Sequence, residues 1–176
     1  LMAASQHDHP ACVEVLLEAG VDPNRTENEG TTALMEASQH GRPACVEVLL
    51  EAGADPNRTD NKGYTALIGA CLFSHHSVVE ILLKVPNIDV NIKDKNGYMA
   101  LTAACEGCAS STALTAGGAG DDGRDDPGRS LALLLKSRLL SPETLEDAIK
   151  ICNELKARNY ISIDGTTELP GYKVAL

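Results

Sequence analysis

Between Thr32 and Ala52 the apolar residues recur at helical spacing, not at the alternating spacing of a strand. Leu34 and Ala37 lie three apart. Val46, Leu49 and Leu50 then form a single stripe, with polar positions between. The pattern predicts a short helix over residues 32–40 with Leu34 and Ala37 inward, and a second over 43–52. Pro43 suits the first turn of that second helix, where its missing N–H leaves no bond unmade. Gly53 stops it with a left-handed cap. Asp60-Asn61-Lys62-Gly63 has the composition of a turn, with Gly63 free to take a positive φ.

The same pattern returns along the chain. Residues 5–30 read SQHDHPACVEVLLEAGVDPNRTENEG, and residues 38–63 read SQHGRPACVEVLLEAGADPNRTDNKG, an offset of 33. Thr65-Ala66-Leu67 follows Thr32-Ala33-Leu34 by 33, and Val79–Leu83 follows Val46–Leu50 by 33. Leu101 follows Leu67 by 34, because Lys84–Asn91 is one residue longer than the segment it replaces. A unit this small cannot bury its own apolar face, so a fixed period of this length means neighbouring units stack.

The residues resemble the ankyrin-repeat family. Gly63-Tyr64-Thr65-Ala66-Leu67-Ile68-Gly69-Ala70-Cys71 opens a unit. It departs from the family pattern at Ala66 for Pro, Ile68 for His and Cys71 for Ala. His75 and Val78–Leu83 follow the pattern, as do Gly53-Ala54-Asp55-Pro56-Asn57 and Asp60-Asn61-Lys62-Gly63. The resemblance covers residues 1–108 well and 129–137 weakly. It implies an all-α solenoid of helix-turn-helix units joined by short β-hairpin connections.

The pattern has two edges. Leu1 aligns with Leu34, so the first unit lacks its opening, and the chain reads as a monomeric fragment of a longer protein with further repeats upstream. The fourth unit opens at Gly97-Tyr98-Met99-Ala100-Leu101-Thr102-Ala103-Ala104-Cys105, and there the register breaks. Residues 109–128, ASSTALTAGGAGDDGRDDPG, read as a flexible insertion between the two helices of this unit. The outer helix is expected to resume near Ser130. About four repeats then occupy residues 1–140. Ser141-Pro142-Glu143 starts a further helix, with Leu145, Ala148, Ile149, Cys152 and Leu155 on one stripe through Arg158. That helix is expected to cover the end of the stack, followed by an irregular tail from Tyr160 to Leu176.

Composition narrows the function. The chain has no Trp, one Phe and four Tyr, so its core must be filled by Leu, Val, Ile, Ala and Cys. A net charge of -10 argues against broad nucleic-acid binding and against anionic membranes. No apolar run approaches the length of a membrane span. Six cysteines, an even count, would suit disulfides in a small secreted domain, but Cys12 and Cys45 recur at one repeat position inside a helical apolar pattern. They read as reduced core residues of an intracellular protein, cytoplasmic or nuclear.

Candidate chemistry is thin. Cys105-x-x-Cys108 lacks the second ligand pair of a zinc site. His7-Asp8-His9 and His75-His76 lie at inter-helix turns with no thiol or acid to complete a ligand set. No nucleophile elbow or phosphate loop is present. No cofactor and no catalytic constellation is expected. Asn24, Asn57 and Asn91 match the hairpin-preceding Asn of the family, which holds the loop by side-chain hydrogen bonds and can be hydroxylated.

The resemblance instead implies binding of another protein through hairpin tips and the exposed face of the inner helices. Carried over by position, the hairpins supply Thr26, Asn28, Glu29 and Thr31, then Thr59, Asn61, Lys62 and Tyr64, then Lys93, Lys95, Asn96 and Tyr98. The inner helices supply Gln6 and His7, Gln39 and His40, Leu72 and Phe73. Leu72 and Phe73 replace Gln and His, and form an apolar anchor with Tyr64 and Tyr98 if exposed; the alternative tucks Phe73 inside. The hairpin tips also vary while the frame is kept, as at Glu29 against Lys62. A structural spacer, or a regulatory arm of a larger enzyme or channel, is the competing function.

Overall fold

The computed structural model describes residues 1–106, 128–137 and 139–142, together with positions 146 and 150. Helices alternate in two layers. The inner layer holds α1 (Met2–Gln6), α3 (Ala33–Gln39), α5 (Ala66–Leu72) and α7 (100–106). The outer layer holds α2 (Pro10–Glu18), α4 (Pro43–Glu51), α6 (His76–Leu83) and α8 (Gly128–Lys136). α1 packs on α3 and α3 on α5; α2 packs on α4, α4 on α6 and α6 on α8.

Local chemistry sets the helix ends. Thr32 lies outside α3 in extended backbone, and its hydroxyl accepts the Met35 N–H at 3.3 Å. Thr65 does the same for α5, accepting the Ile68 N–H at 3.2 Å. The fourth unit has Met99 at that position, without a hydroxyl. Thr102 reaches back instead, its Oγ1 accepting the Met99 N–H at 3.0 Å, a reversal of the capping direction. At the turn between layers, Asp8, Gly41 and Ser74 occupy one repeat position with φ of 59°, 63° and 58°.

The core is a set of columns one repeat apart. Leu34, Leu67 and Leu101 fill the inner column, and Leu49, Leu82 and Leu134 the outer one; all are fully buried. Each such Leu contributes on the order of 1.5–3 kcal/mol. Ala37, Ala70 and Ala104 are buried between successive inner helices, where small side chains permit close approach.

The connections differ from the expected β-hairpins. Among the described residues the only ladder contact is the isolated bridge Thr26–Thr32. In the next two tips one carboxylate closes each turn. Asp60 Oδ1 accepts the N–H of Lys62 and of Tyr64, both at 2.8 Å. Asp94 Oδ1 accepts those of Asn96 at 2.8 Å and Tyr98 at 2.7 Å. The outward backbone groups then bond between repeats: the Asn61 N–H donates to Glu29 O and the Lys95 N–H to Lys62 O, both at 2.9 Å.

The fourth unit regains the frame after its break. α8 starts at Gly128, two residues before Ser130 and at the last position of the expected insertion; the remainder of that insertion lies outside the described residues. Ser130 takes the buried place of Cys45 and Val78. Asn57 donates to Asn87 O at 2.7 Å and accepts the Asp89 N–H at 2.8 Å. Asn91 repeats this clasp on Leu139 O at 3.1 Å and the Ser141 N–H at 3.0 Å. Ser141-Pro142 therefore stands where Asp55-Pro56 stands in the second unit. Pro142, Glu146 and Lys150 are helical, while the apolar stripe from Leu145 to Leu155 lies outside the described residues.

Candidate functional site

Stacking places the predicted binding residues at recurrent positions of successive repeats. Gln39, Thr59, Asn61, Lys62, Phe73, Lys93, Lys95 and Asn96 are exposed; His40, Tyr64, Leu72 and Tyr98 are half-buried. The repeat columns align them: Thr31, Tyr64 and Tyr98 precede successive inner helices, while Gln6, Gln39 and Leu72 end them. Phe73 is 45% exposed at the C-terminal end of α5, its ring 6.4 Å from that of His75. Leu72 packs partly against the core. Phe73 and Tyr64 sit at opposite ends of a seven-residue helix, on the order of 10 Å apart along its axis. They mark two ends of the inner-helix surface.

Glu106 joins this set and was not anticipated. It is the last described residue of α7 and holds the repeat position of Gln6, Gln39 and Leu72, so extending that column by one unit would have found it. Tyr98 runs along α7 and donates its hydroxyl to Glu106 Oε1 at 2.6 Å. This bond, with the charge of Glu106, holds the Tyr98 phenol above its ordinary value. Burial pushes the Tyr64 phenol up, helped by the negative charges of Asp94, Glu106 and Asp60. Tyr64, Tyr98 and Glu106 thus share one electronegative locality.

The turn histidines have structural partners. The Gln6 amide donates to His40 Nε2 at 3.3 Å, and His40 Nδ1–H donates to Glu36 O at 3.0 Å. His75 Nε2–H donates to Gln39 O at 3.0 Å, tying one repeat to the last. Burial lowers the His75 pKa below its usual value. Asn24 makes the same clasp as Asn57 and Asn91, donating to Gly53 O at 3.1 Å and accepting the Asp55 N–H at 2.8 Å.

Among the described residues, no three His, Cys, Asp or Glu side chains converge as metal ligands. Cys105 is buried in α7, and Cys108 lies outside the described residues. No described helix is long and apolar enough to cross a membrane.

Family models for ankyrin repeats match in two stretches. One, Ankyrin repeats (3 copies), covers residues 1–60; the other, Ankyrin repeats (many copies), covers residues 49–104. No curated protein sequence matches the chain. Ankyrin repeats are in general protein-interaction modules and typically non-catalytic. The repeat period, the two helical layers and both family matches agree, and the chain belongs to the ankyrin-repeat family.

Proposed function

We propose that this chain binds another polypeptide through the face built by the second and third hairpin tips and the inner helices α5 and α7. One observation carries this reading. Tyr64, Phe73 and Tyr98 are the only Phe or Tyr rings among the described residues; all three lie on this face, and none is in the core. Described repeats that are poor in aromatics and carry them at partly exposed positions have the composition of an interface, where aromatic anchors carry most of the binding energy.

On this reading the face is the concave side of the solenoid, presented by a frame that local bonds hold. Asx turns fix the tips, and inter-repeat bonds fix their spacing. Little ordering cost is then due on binding. Binding is by a monomer within a reducing cell interior, which the placement of Cys45, Cys71 and Cys105 as core fill supports. Catalysis belongs elsewhere.

The test is capture from host lysate by the wild-type chain and by a Leu72→Glu/Phe73→Glu variant of matched helicity. We expect specific partners that the variant loses. Equal capture by both would move the site off α5, and no specific capture by either would favour a spacer or regulatory arm.

A further inference from the structure

We propose that Tyr64, Tyr98 and Glu106 form a subsite for one basic side chain, a lysine or arginine, of the bound polypeptide. The inference rests on the binding reading above and names the chemistry of its partner.

Geometry supplies the first ground. Tyr98 and Glu106 are locked together by a 2.6 Å hydrogen bond, so ring and carboxylate are held in fixed relation. That bond uses Oε1, and Oε2 accepts no hydrogen bond among the described residues. Both Tyr rings are half-buried, leaving part of each surface open. An aromatic face beside a carboxylate suits a cation on two counts: the ring quadrupole attracts it, and the carboxylate accepts its N–H groups.

Charge balance supplies the second. The negative charges of Asp60, Asp94 and Glu106 converge on Tyr64. Glu36–His40, Asp8–Arg42 and Glu80–Lys84 form ion pairs, and none of these pairs involves the three carboxylates. Asp60 and Asp94 are committed to closing their turns through Oδ1. Glu106 accepts only the Tyr98 hydroxyl among the described residues, and its second oxygen is the one assigned to the ligand.

The surroundings limit what enters. Lys62 and Lys95 are exposed on the tips that also carry Tyr64 and Tyr98. They repel a run of basic residues. A single cation within an otherwise neutral or acidic segment fits both the Glu106 carboxylate and these lysines. The preceding column offers no equivalent, because Leu72 and Gln39 stand where Glu106 stands. The subsite is therefore single, and it fixes the register of an extended partner along the face.

The experiment is selection of random twelve-residue displayed peptides on the intact folded chain, followed by binding measurements with synthesised winners. We expect one fixed Lys or Arg in the winners, without polybasic runs. Glu106→Gln should weaken those peptides about tenfold at unchanged helicity and Tm. Selection on Glu106→Lys should exchange the fixed base for Asp or Glu. Winners without a fixed base, or indifferent to Glu106→Gln, yet lost on Phe73→Glu, would overturn the subsite and leave the binding face standing. Absence of any peptide sensitive to changes at Leu72, Phe73 or Glu106 would overturn both.

Discussion

Helices α2 and α4 are the same nine residues, PACVEVLLE, and they occupy different environments. Val13 and Val46 are both fully buried. Cys12 is exposed, whereas Cys45 is buried; Leu16 is half-buried, whereas Leu49 is fully enclosed. Val15 is 63% exposed, whereas its counterpart Val48 is half-buried. α4 lies between α2 and α6, while α2 meets α4 on one flank and no described helix on the other. Propensity and periodicity make both segments helices. What each side chain contributes is set by the neighbour across the stack, as expected when stability is a sum over repeat interfaces.

Three measurements press on that difference. The largest contrast should be chemical. Under native conditions a thiol reagent should modify Cys12 at least about a hundredfold faster than Cys45, since only Cys45 needs local opening. Burial and the neighbouring Asp8 carboxylate also raise the Cys45 thiol pKa, leaving less thiolate to react. Peptide mapping by mass spectrometry reads both rates; equal rates would mean the stack does not protect α4.

A second contrast is energetic. Leu49→Ala should cost about 2–5 kcal/mol, as a cavity in a closed core does. Leu16→Ala should cost roughly half as much or less, because water already reaches that position. Urea unfolding midpoints of the two variants settle the order, and similar losses would break the comparison.

The third contrast concerns the tips. Gly63 has a φ of +90°, and a Cβ there would lie 2.7 Å from Asp94 Cα in the next tip. Gly97 has a φ of +83° and no atom of the described residues within 4 Å of such a Cβ. Both Ala variants should lose about 1–2 kcal/mol to the left-handed backbone. Gly63→Ala should lose roughly 1–3 kcal/mol more, because backbone cannot swing aside as a side chain can. Thermal midpoints measure this; equal shifts would show that the tips yield.

Much of the frame was legible in advance. The period of 33 placed the helices within a residue or two, since Thr32 and Thr65 cap the helices rather than join them. The columns also put every candidate binding residue at an exposed or half-buried position. Two features escaped for different reasons. Glu106 was readable by counting, because it continues the column of Gln6, Gln39 and Leu72. Its bond to Tyr98 was not, since it depends on a ring lying along a helix to meet a residue eight positions on. Ser141-Pro142 carried a helix-start signal that concealed its second identity, the place of Asp55-Pro56. Only the Asn91 clasp reveals that, because the relation spans a break in sequence register.

By itself the sequence determined the repeat, the alternation of inner and outer helices, the turn residues and the absence of large rings from the core. These are local or periodic properties, fixed by backbone preference and by spacing within one unit. The tertiary structure decided which of two identical helices is enclosed, where the fourth unit regains its frame, and that Tyr64, Tyr98 and Glu106 share one locality. These depend on which unit lies against which, and contact across a stack is set by neighbours that no single repeat encodes.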